Sequence, residues 1–226
     1  MLAAQHNSRI LVINPNSNPE VSEGIRQAAT HVITPGTALE VVNPSEGPLS
    51  IETPADRAQA IPPLLALAEK YRCAGFDACV LACFDDIVLG EIRELLGCPV
   101  VGACEASIAA ARALSARFSI VTTVHSALPT IHGLLRYYGA EQLAQAAAAG
   151  IGVAEAASGG AATERMLRET IASAIDQQGA QAIVLGSGGL VGRAPELTRI
   201  FQVPVIDSVL SAVTLAEGIV RLTRPG

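Results

Sequence analysis

The sequence predicts an α/β protein of two pseudo-symmetric lobes, each a roughly four-stranded parallel sheet with helices on both faces, with an active-site cleft between them. Three observations predict it. Short apolar runs alternate with helical stretches along the whole chain, the pattern of parallel sheets covered on both faces. The pattern restarts near the middle: Ala78–Cys83 matches Ala182–Ser187, Cys98–Gly102 matches Val203–Asp207, and Ile10–Asn14 matches Phe118–Thr122, at offsets of 104, 105 and 108 residues. Finally, polar turns follow the strands at one end, where such sheets bind ligands.

The elements follow in order. Arg9–Ile13 is a buried strand by its apolar, β-branched run. Asn14–Pro19 is turn chemistry, with Asn18 as cap and Pro19 as first residue of a helix reaching Thr30. Leu39–Val42 is a strand, and Pro44–Pro54 is a polar loop. Pro54–Arg72 is a helix that Pro62 and Pro63 are expected to bend. Ala78–Ala82 is a strand, Val88–Leu96 a helix, Pro99–Gly102 a strand and Glu105–Ser115 a helix. Arg117–Val121 is a strand and Ser126–Tyr138 a helix. The stretch Glu141–Ala157 is ambiguous: Gln142–Ala149 has helical propensity, but its place in the repeat answers Leu39–Val42, and strand is the reading adopted. Thr163–Gln178 is a helix with Thr163 as cap. Ala182–Leu185 and Val203–Asp207 are strands, and Ser208–Leu222 is the last helix. Residues 1–103 with 208–226 form the first lobe and 104–207 the second, because the last helix takes in the first lobe the place that Glu105–Ser115 takes in the other.

Composition narrows the function. Half of the 226 residues are hydrophobic, 16% are charged, and the mean hydropathy is +0.40, too apolar for a disordered chain. A net charge of −6 without basic clusters excludes a nucleic-acid surface. Met1–Ser8 do not read as a signal peptide, and no apolar run has the length of a membrane span. The odd count of five cysteines suits a reducing cytoplasm. No His or Cys cluster has metal-ligand spacing, so no metal is expected. An apolar, weakly charged surface points to a homo-oligomer.

Five turns are expected to line the cleft: Asn14–Asn18, Ser45–Thr53, Cys83–Asp86, Thr122–His125 and Ser187–Gly189. Cys83 and Ser187 are the catalytic candidates, one on each wall. Cys83 lies between a strand and a helix, where backbone N–H groups and the helix dipole lower a thiol pKa from its usual ~8.5, with Asp85 and Asp86 opposing if close. The other four cysteines read as core or surface residues. Ser187 sits in Gly-Ser-Gly-Gly, where a hydroxyl and the N–H groups of Gly188 and Gly189 can hold a carbonyl or an oxyanion. The stretch is neither a Gly-x-Ser-x-Gly elbow nor a P-loop. Asn16, Ser50, Thr122 and Thr123 are short neutral groups suited to a small, neutral, hydrogen-bonding ligand, and Phe84 is placed to cover a flat ring.

Ile13–Pro19, Gly47–Glu52, Ala82–Asp86, Pro99–Ala106, Phe118–Thr123 and Ala182–Gly186 together resemble the hydantoin and allantoin racemases of the aspartate/glutamate racemase superfamily. The resemblance spans nearly the whole chain. It implies two α/β lobes, no cofactor, and an isomerase with two cysteines. One thiolate removes the proton at a stereocentre beside a carbonyl, and a second thiol returns one to the opposite face. The departure is Ser187, where the resemblance places the second cysteine. A serine hydroxyl is a far weaker acid than a thiol and needs a strong base beside it. Three readings fit: a racemase whose second base is replaced, a one-cysteine decarboxylase or isomerase of the same superfamily, and a ligand-binding relative without turnover. Low aromatic content favours a polar ureide such as allantoin over an aryl hydantoin.

Overall fold

The computed structural model describes residues 8–223. The expectation for the opening residues Met1–Ser8 therefore lies, Ser8 apart, outside the described residues. Two parallel four-stranded sheets form the molecule. The first contains β1 (Arg9–Ile13), β2 (Ala38–Val42), β3 (Ala78–Leu81) and β4 (Val100–Gly102), in the order β2-β1-β3-β4. The second contains β5 (Phe118–Thr122), β6 (Ala144–Ala148), β7 (Ala182–Leu185) and β8 (Val205–Asp207), in the equivalent order β6-β5-β7-β8. Ile13 pairs with Leu81 in one sheet and Val121 with Leu185 in the other. Each central ladder runs one bond further, from Ala82 N–H to Ile13 O and from Gly186 N–H to Val121 O, both 2.9 Å. Cys83 and Ser187 are the next residues, so matching backbone geometry delivers both to the sheet ends.

The first lobe carries α1 (Pro19–Thr30), α2 (Pro54–Tyr71) and α3 (Leu89–Leu95). Asn18 caps α1 by accepting from the Glu20 N–H. Thr53 and Asp56 close a reciprocal capping box on α2, which continues through Pro62 and Pro63. The second lobe carries α5 (Leu128–Tyr137), α6 (Val153–Ser158), α7 (Ala161–Asp176) and α8 (Ala194–Phe201). Two helices connect the lobes. α4 (Ala103–Leu114) leaves the first sheet and sends Cys104, Ile108 and Ala111 into the core of the second, against Phe118, Ile120 and Val184. α9 (Ser208–Thr223) leaves the second sheet and packs Val209, Ala212, Val213, Ala216 and Val220 against Ile10, Val12 and Val80 of the first. That spacing is one helical stripe, and each fully buried Val adds about 1.5–3 kcal/mol. Buried Glu217 of α9 also accepts from the Thr34 N–H and hydroxyl and from the Thr37 hydroxyl, tying down the turn before β2.

Several boundaries differ from the sequence reading. α4 starts at Ala103, two residues early, because its cap comes from a carboxylate distant in sequence, Asp86. Gly160, not Thr163, precedes α7, and Thr163 is buried inside its first turn. β8 starts at Val205, since Pro204 has no N–H to donate to the ladder. Residues 141–157 hold the expected strand β6 and also all but the last residue of the short helix α6. α8 was not anticipated; its signal was Pro195 in the first turn followed by apolar Leu197, Ile200 and Phe201. Among the described residues no helix is long and apolar enough to cross a membrane.

Candidate active site

A cavity of about 160 Å³ opens between the sheet ends and is lined from both lobes. All five anticipated turns contribute. Asn14–Asn16, Ile51–Pro54 and Ala82–Asp85 come from the first lobe, and Thr122–Val124 and Gly186–Gly188 from the second. Of the sequence candidates, Cys83, Ser187, Asn16, Phe84, Thr122, Thr123 and Gly188 reach the cavity wall. Ser50 and Gly189 do not. Ser50 instead donates to Glu52 Oε1 at 3.1 Å, and the Gly189 N–H donates to Ser187 Oγ at 3.3 Å. Both stand one bond behind the wall. The space suits a single small ring, being well below the ~300–1,000 Å³ of drug-sized pockets.

The turn after β1 is a lattice of amides. Asn14 Nδ2 donates to Asn16 Oδ1 at 2.9 Å and Ser22 Oγ at 3.0 Å, and the Asn18 N–H donates to Asn16 Oδ1 at 3.0 Å. The Asn16 oxygen is therefore occupied, and its Nδ2 group is left for a ligand. The long loop before α2 crosses the cleft. The Val153 N–H donates to Glu52 Oε1 at 3.0 Å, and the Ser126 hydroxyl donates to Glu52 O at 2.5 Å. Those two bonds close one side of the cavity.

On the second wall, Thr122 Oγ1 donates to Gly186 O at 2.9 Å, and Thr123 Oγ1 donates to Ser187 Oγ at 3.3 Å. Ser187 Oγ thus accepts from Thr123 and Gly189, and its own proton is free to donate into the cavity. The glycines around it are steric requirements. A Cβ at Gly186 would lie 2.7 Å from Ile120 Cγ2, and one at Gly189 would lie 2.5 Å from Val153 O.

The first wall reverses one expectation. The Cys83 pKa is raised, not lowered: burial dominates, the Asp85 charge adds to it, and the Asp85 N–H, Asp86 and Arg57 are smaller influences of mixed sign. The helix dipole does not help because α3 begins only at Leu89, after Asp86 and Val88 have both turned into left-handed backbone (φ 47° each). Burial and the Asp85 charge therefore favour the Cys83 thiol over its thiolate. Asp85 accepts from Arg57 Nε at 2.7 Å through Oδ2, while its Oδ1 is buried without a hydrogen-bond partner among the described residues. Burial raises the Asp85 pKa and Arg57 opposes the rise.

Asp86 turns away from the cavity. It accepts from the N–H groups of Cys104 at 3.1 Å and Glu105 at 3.0 Å, capping α4, and from the Tyr138 hydroxyl at 2.7 Å. Burial nevertheless lifts its pKa to about 6. The Cys83–Asp86 turn is thereby anchored to a helix at the lobe boundary.

Sequence reasoning passed over Glu52, Arg57, Ser126 and Val153 as site residues. Glu52 lay in the expected loop and in the quoted Gly47–Glu52 motif. Arg57 had no local signal, since its partner Asp85 is 28 residues away. Among the described residues no group of three His, Cys, Asp or Glu side chains is placed to hold a metal ion.

The family description Asp/Glu/Hydantoin racemase matches residues 10–216. A hydantoin racemase of Paenarthrobacter aurescens is 39% identical over 216 residues, covering 95% of this chain and 92% of that protein. One from Rhizobium meliloti is 37% identical over 211 residues, covering 93% and 88%. The solved structure of an allantoin racemase from Klebsiella pneumoniae is similar with a TM-score of 0.91 at 39% identity, covering 95% of this chain and 88% of that one.

Proposed function

The chain belongs to the Asp/Glu/hydantoin racemase family, and from that premise we propose that it acts on a cyclic ureide, a hydantoin or allantoin, by moving the proton on the ring carbon next to a carbonyl. The observation that carries this reading is the placement of Cys83 and Ser187. They follow pseudo-equivalent strands and line one cavity from two lobes. Cys83 is the acid/base group on its face: as thiolate, after giving its proton to solvent, it takes the proton from the ring carbon, and as thiol it returns one. The Ser187 hydroxyl lines the same space, and its O–H, which donates to none of the described residues, stabilises negative charge developing on the carbonyl oxygen. Asn16 supplies a further donor.

Ser187 cannot equal a second thiol as a proton carrier, because its hydroxyl is the weaker acid and its side-chain hydrogen bonds to the described residues come from a hydroxyl and an N–H, not from a base. Proton exchange on the Cys83 face should therefore outrun inversion. The test uses single enantiomers of a 5-substituted hydantoin and of allantoin in D2O, following deuterium at C5 and optical rotation together. Exchange from one enantiomer with weak racemisation is expected. Cys83→Ala should abolish exchange, and Ser187→Cys should restore racemisation. No exchange with either enantiomer, before or after Ser187→Cys, would overturn the reading.

The protonated Cys83 favours one second reading. In a one-cysteine decarboxylase the departing CO2 creates the carbanion, and the thiol only has to deliver a proton. Release of CO2 from a disubstituted malonate, lost in Cys83→Ala, identifies that case. Thermal stabilisation by hydantoin without chemical change identifies a binding protein instead. All five cysteines are unpaired, which supports a reducing compartment.

A further inference from the structure

We propose that Glu52 and Arg57 read the amide edge of the ring, with Arg57 donating to a ring carbonyl and Glu52 accepting the neighbouring ring N–H. The inference rests on the cyclic-ureide reading above and names the part of the substrate that is recognised.

Both residues line the cavity, and each is held through one atom while keeping another for a ligand. Glu52 Oε1 accepts from the Ser50 hydroxyl at 3.1 Å and the Val153 N–H at 3.0 Å. Its Oε2 makes no hydrogen bond to the described residues. Arg57 uses only Nε, donating to Asp85 Oδ2 at 2.7 Å. Its two amino groups make no hydrogen bond to the described residues. The backbone between them is stiff: the Glu52 N–H donates to Asp56 Oδ2 at 3.2 Å, and the Arg57 N–H donates to Thr53 O at 3.0 Å. One wall therefore offers a charged acceptor just before the cap of α2 and a charged donor in its first turn.

A cyclic ureide carries C=O beside N–H along its edge, which is the complement of that pair. A substrate with no N–H leaves Glu52 Oε2 covered by the ligand and without a donor. A substrate carboxylate meets it with like charge. The threonine hydroxyls of the opposite wall discriminate less, because Thr122 is committed to Gly186 O and Thr123 to Ser187. Discrimination among rings belongs to the charged wall.

Glu52→Gln separates recognition from architecture. It keeps the Oε1 acceptor for Val153 and replaces the Oε2 acceptor with an amino donor. Binding of 5-isopropylhydantoin and of its N1-methyl and N3-methyl derivatives is measured by calorimetry. The protein as it stands should prefer the parent over one methyl derivative by about tenfold or more, the scale of a charge-assisted hydrogen bond. In Glu52→Gln that preference should fall to about threefold or less, with an unchanged melting temperature in the absence of compound. Arg57→Lys should weaken the parent about tenfold and keep the preference for a free N–H. Equal binding of all three compounds, or a preference that survives Glu52→Gln, overturns the inference alone. No binding of any compound overturns it together with the cyclic-ureide reading.

Discussion

The Asp86 carboxylate occupies the volume that a side chain at Gly102 would need: a Cβ there would lie 2.4 Å from Asp86 Oδ1. In the second lobe the matching position is Asp207. Its own carboxylate caps α9 by accepting from the Val209 N–H at 3.1 Å and the Leu210 N–H at 3.0 Å. Its other oxygen accepts from the Gly192 N–H at 2.6 Å. Each lobe thus places a carboxylate at the start of its crossing helix and ties it to a neighbouring loop. In the first lobe that carboxylate arrives from the cysteine turn, and in the second from the strand end itself.

Gly102→Ala should therefore destabilise the protein by about 1–3 kcal/mol, the usual cost of overpacking a filled site. The measurement is the urea midpoint. The double variant Gly102→Asp with Asp86→Gly copies the second-lobe arrangement and removes a left-handed non-glycine residue. It should recover part of the loss. A midpoint for Gly102→Ala equal to that of the unaltered protein would contradict the packing argument.

Asp86 also gives stability a pH dependence of predictable sign. Its folded pKa of about 6 lies above the ordinary 3.8. A raised carboxyl pKa favours the protonated fold, so its contribution is full below the unfolded pKa and is lost as pH rises through about 6. The swing is about 3 kcal/mol for a shift of about two units. Asp86→Asn does not ionise. Between pH 4 and 8 the urea midpoint of the unaltered protein should fall relative to that of Asp86→Asn as pH rises, and parallel profiles would refute the assignment.

Glu217 should act in the opposite direction. Burial pushes its pKa up, but hydrogen bonds from Thr37 and Thr34 and the charge of Arg221 outweigh it and hold the pKa below 4.5. Its contribution is present above the unfolded pKa and disappears as pH falls through the folded value. Glu217→Gln should cost stability at pH 7 and little at acid pH, again read from urea midpoints.

Cys83 should alkylate slowly with iodoacetamide at pH 8 because burial and the Asp85 charge keep it a thiol. Asp85→Asn removes that charge and leaves Arg57 without its carboxylate partner. Both changes favour the thiolate, so the rate should rise several-fold. Mass spectrometry assigns the modified cysteine. An unchanged or slower rate would show that Asp85 does not control the thiol.

Local pattern was enough for most of this architecture. The apolar runs at Ile10–Ile13 and Ala182–Leu185 are strands because a parallel sheet buried on both faces admits little else. Repetition then assigned β6, an Ala-rich run whose propensity argues for helix, to the strand position. It pairs with β5 along its whole length, so tertiary position outweighed intrinsic preference. The same repeat put Cys83 and Ser187 on equivalent turns, and the family resemblance named the chemistry to look for.

What the sequence alone determined was therefore the strand–helix order, the duplication, the turns that line the cavity and the unequal pair Cys83 and Ser187. Only the tertiary structure decided the electrostatics of that pair and the partners of the wall. Burial and a neighbouring carboxylate raise the Cys83 pKa where a helix start seemed to lower it. Arg57 meets Asp85, Glu52 reaches Val153, and Asp86 caps α4 across separations of 18 to 101 residues. Periodicity and propensity report on neighbours within a few positions. Desolvation and charge pairing depend on which distant side chains the fold brings within a few ångströms, and no local pattern encodes them.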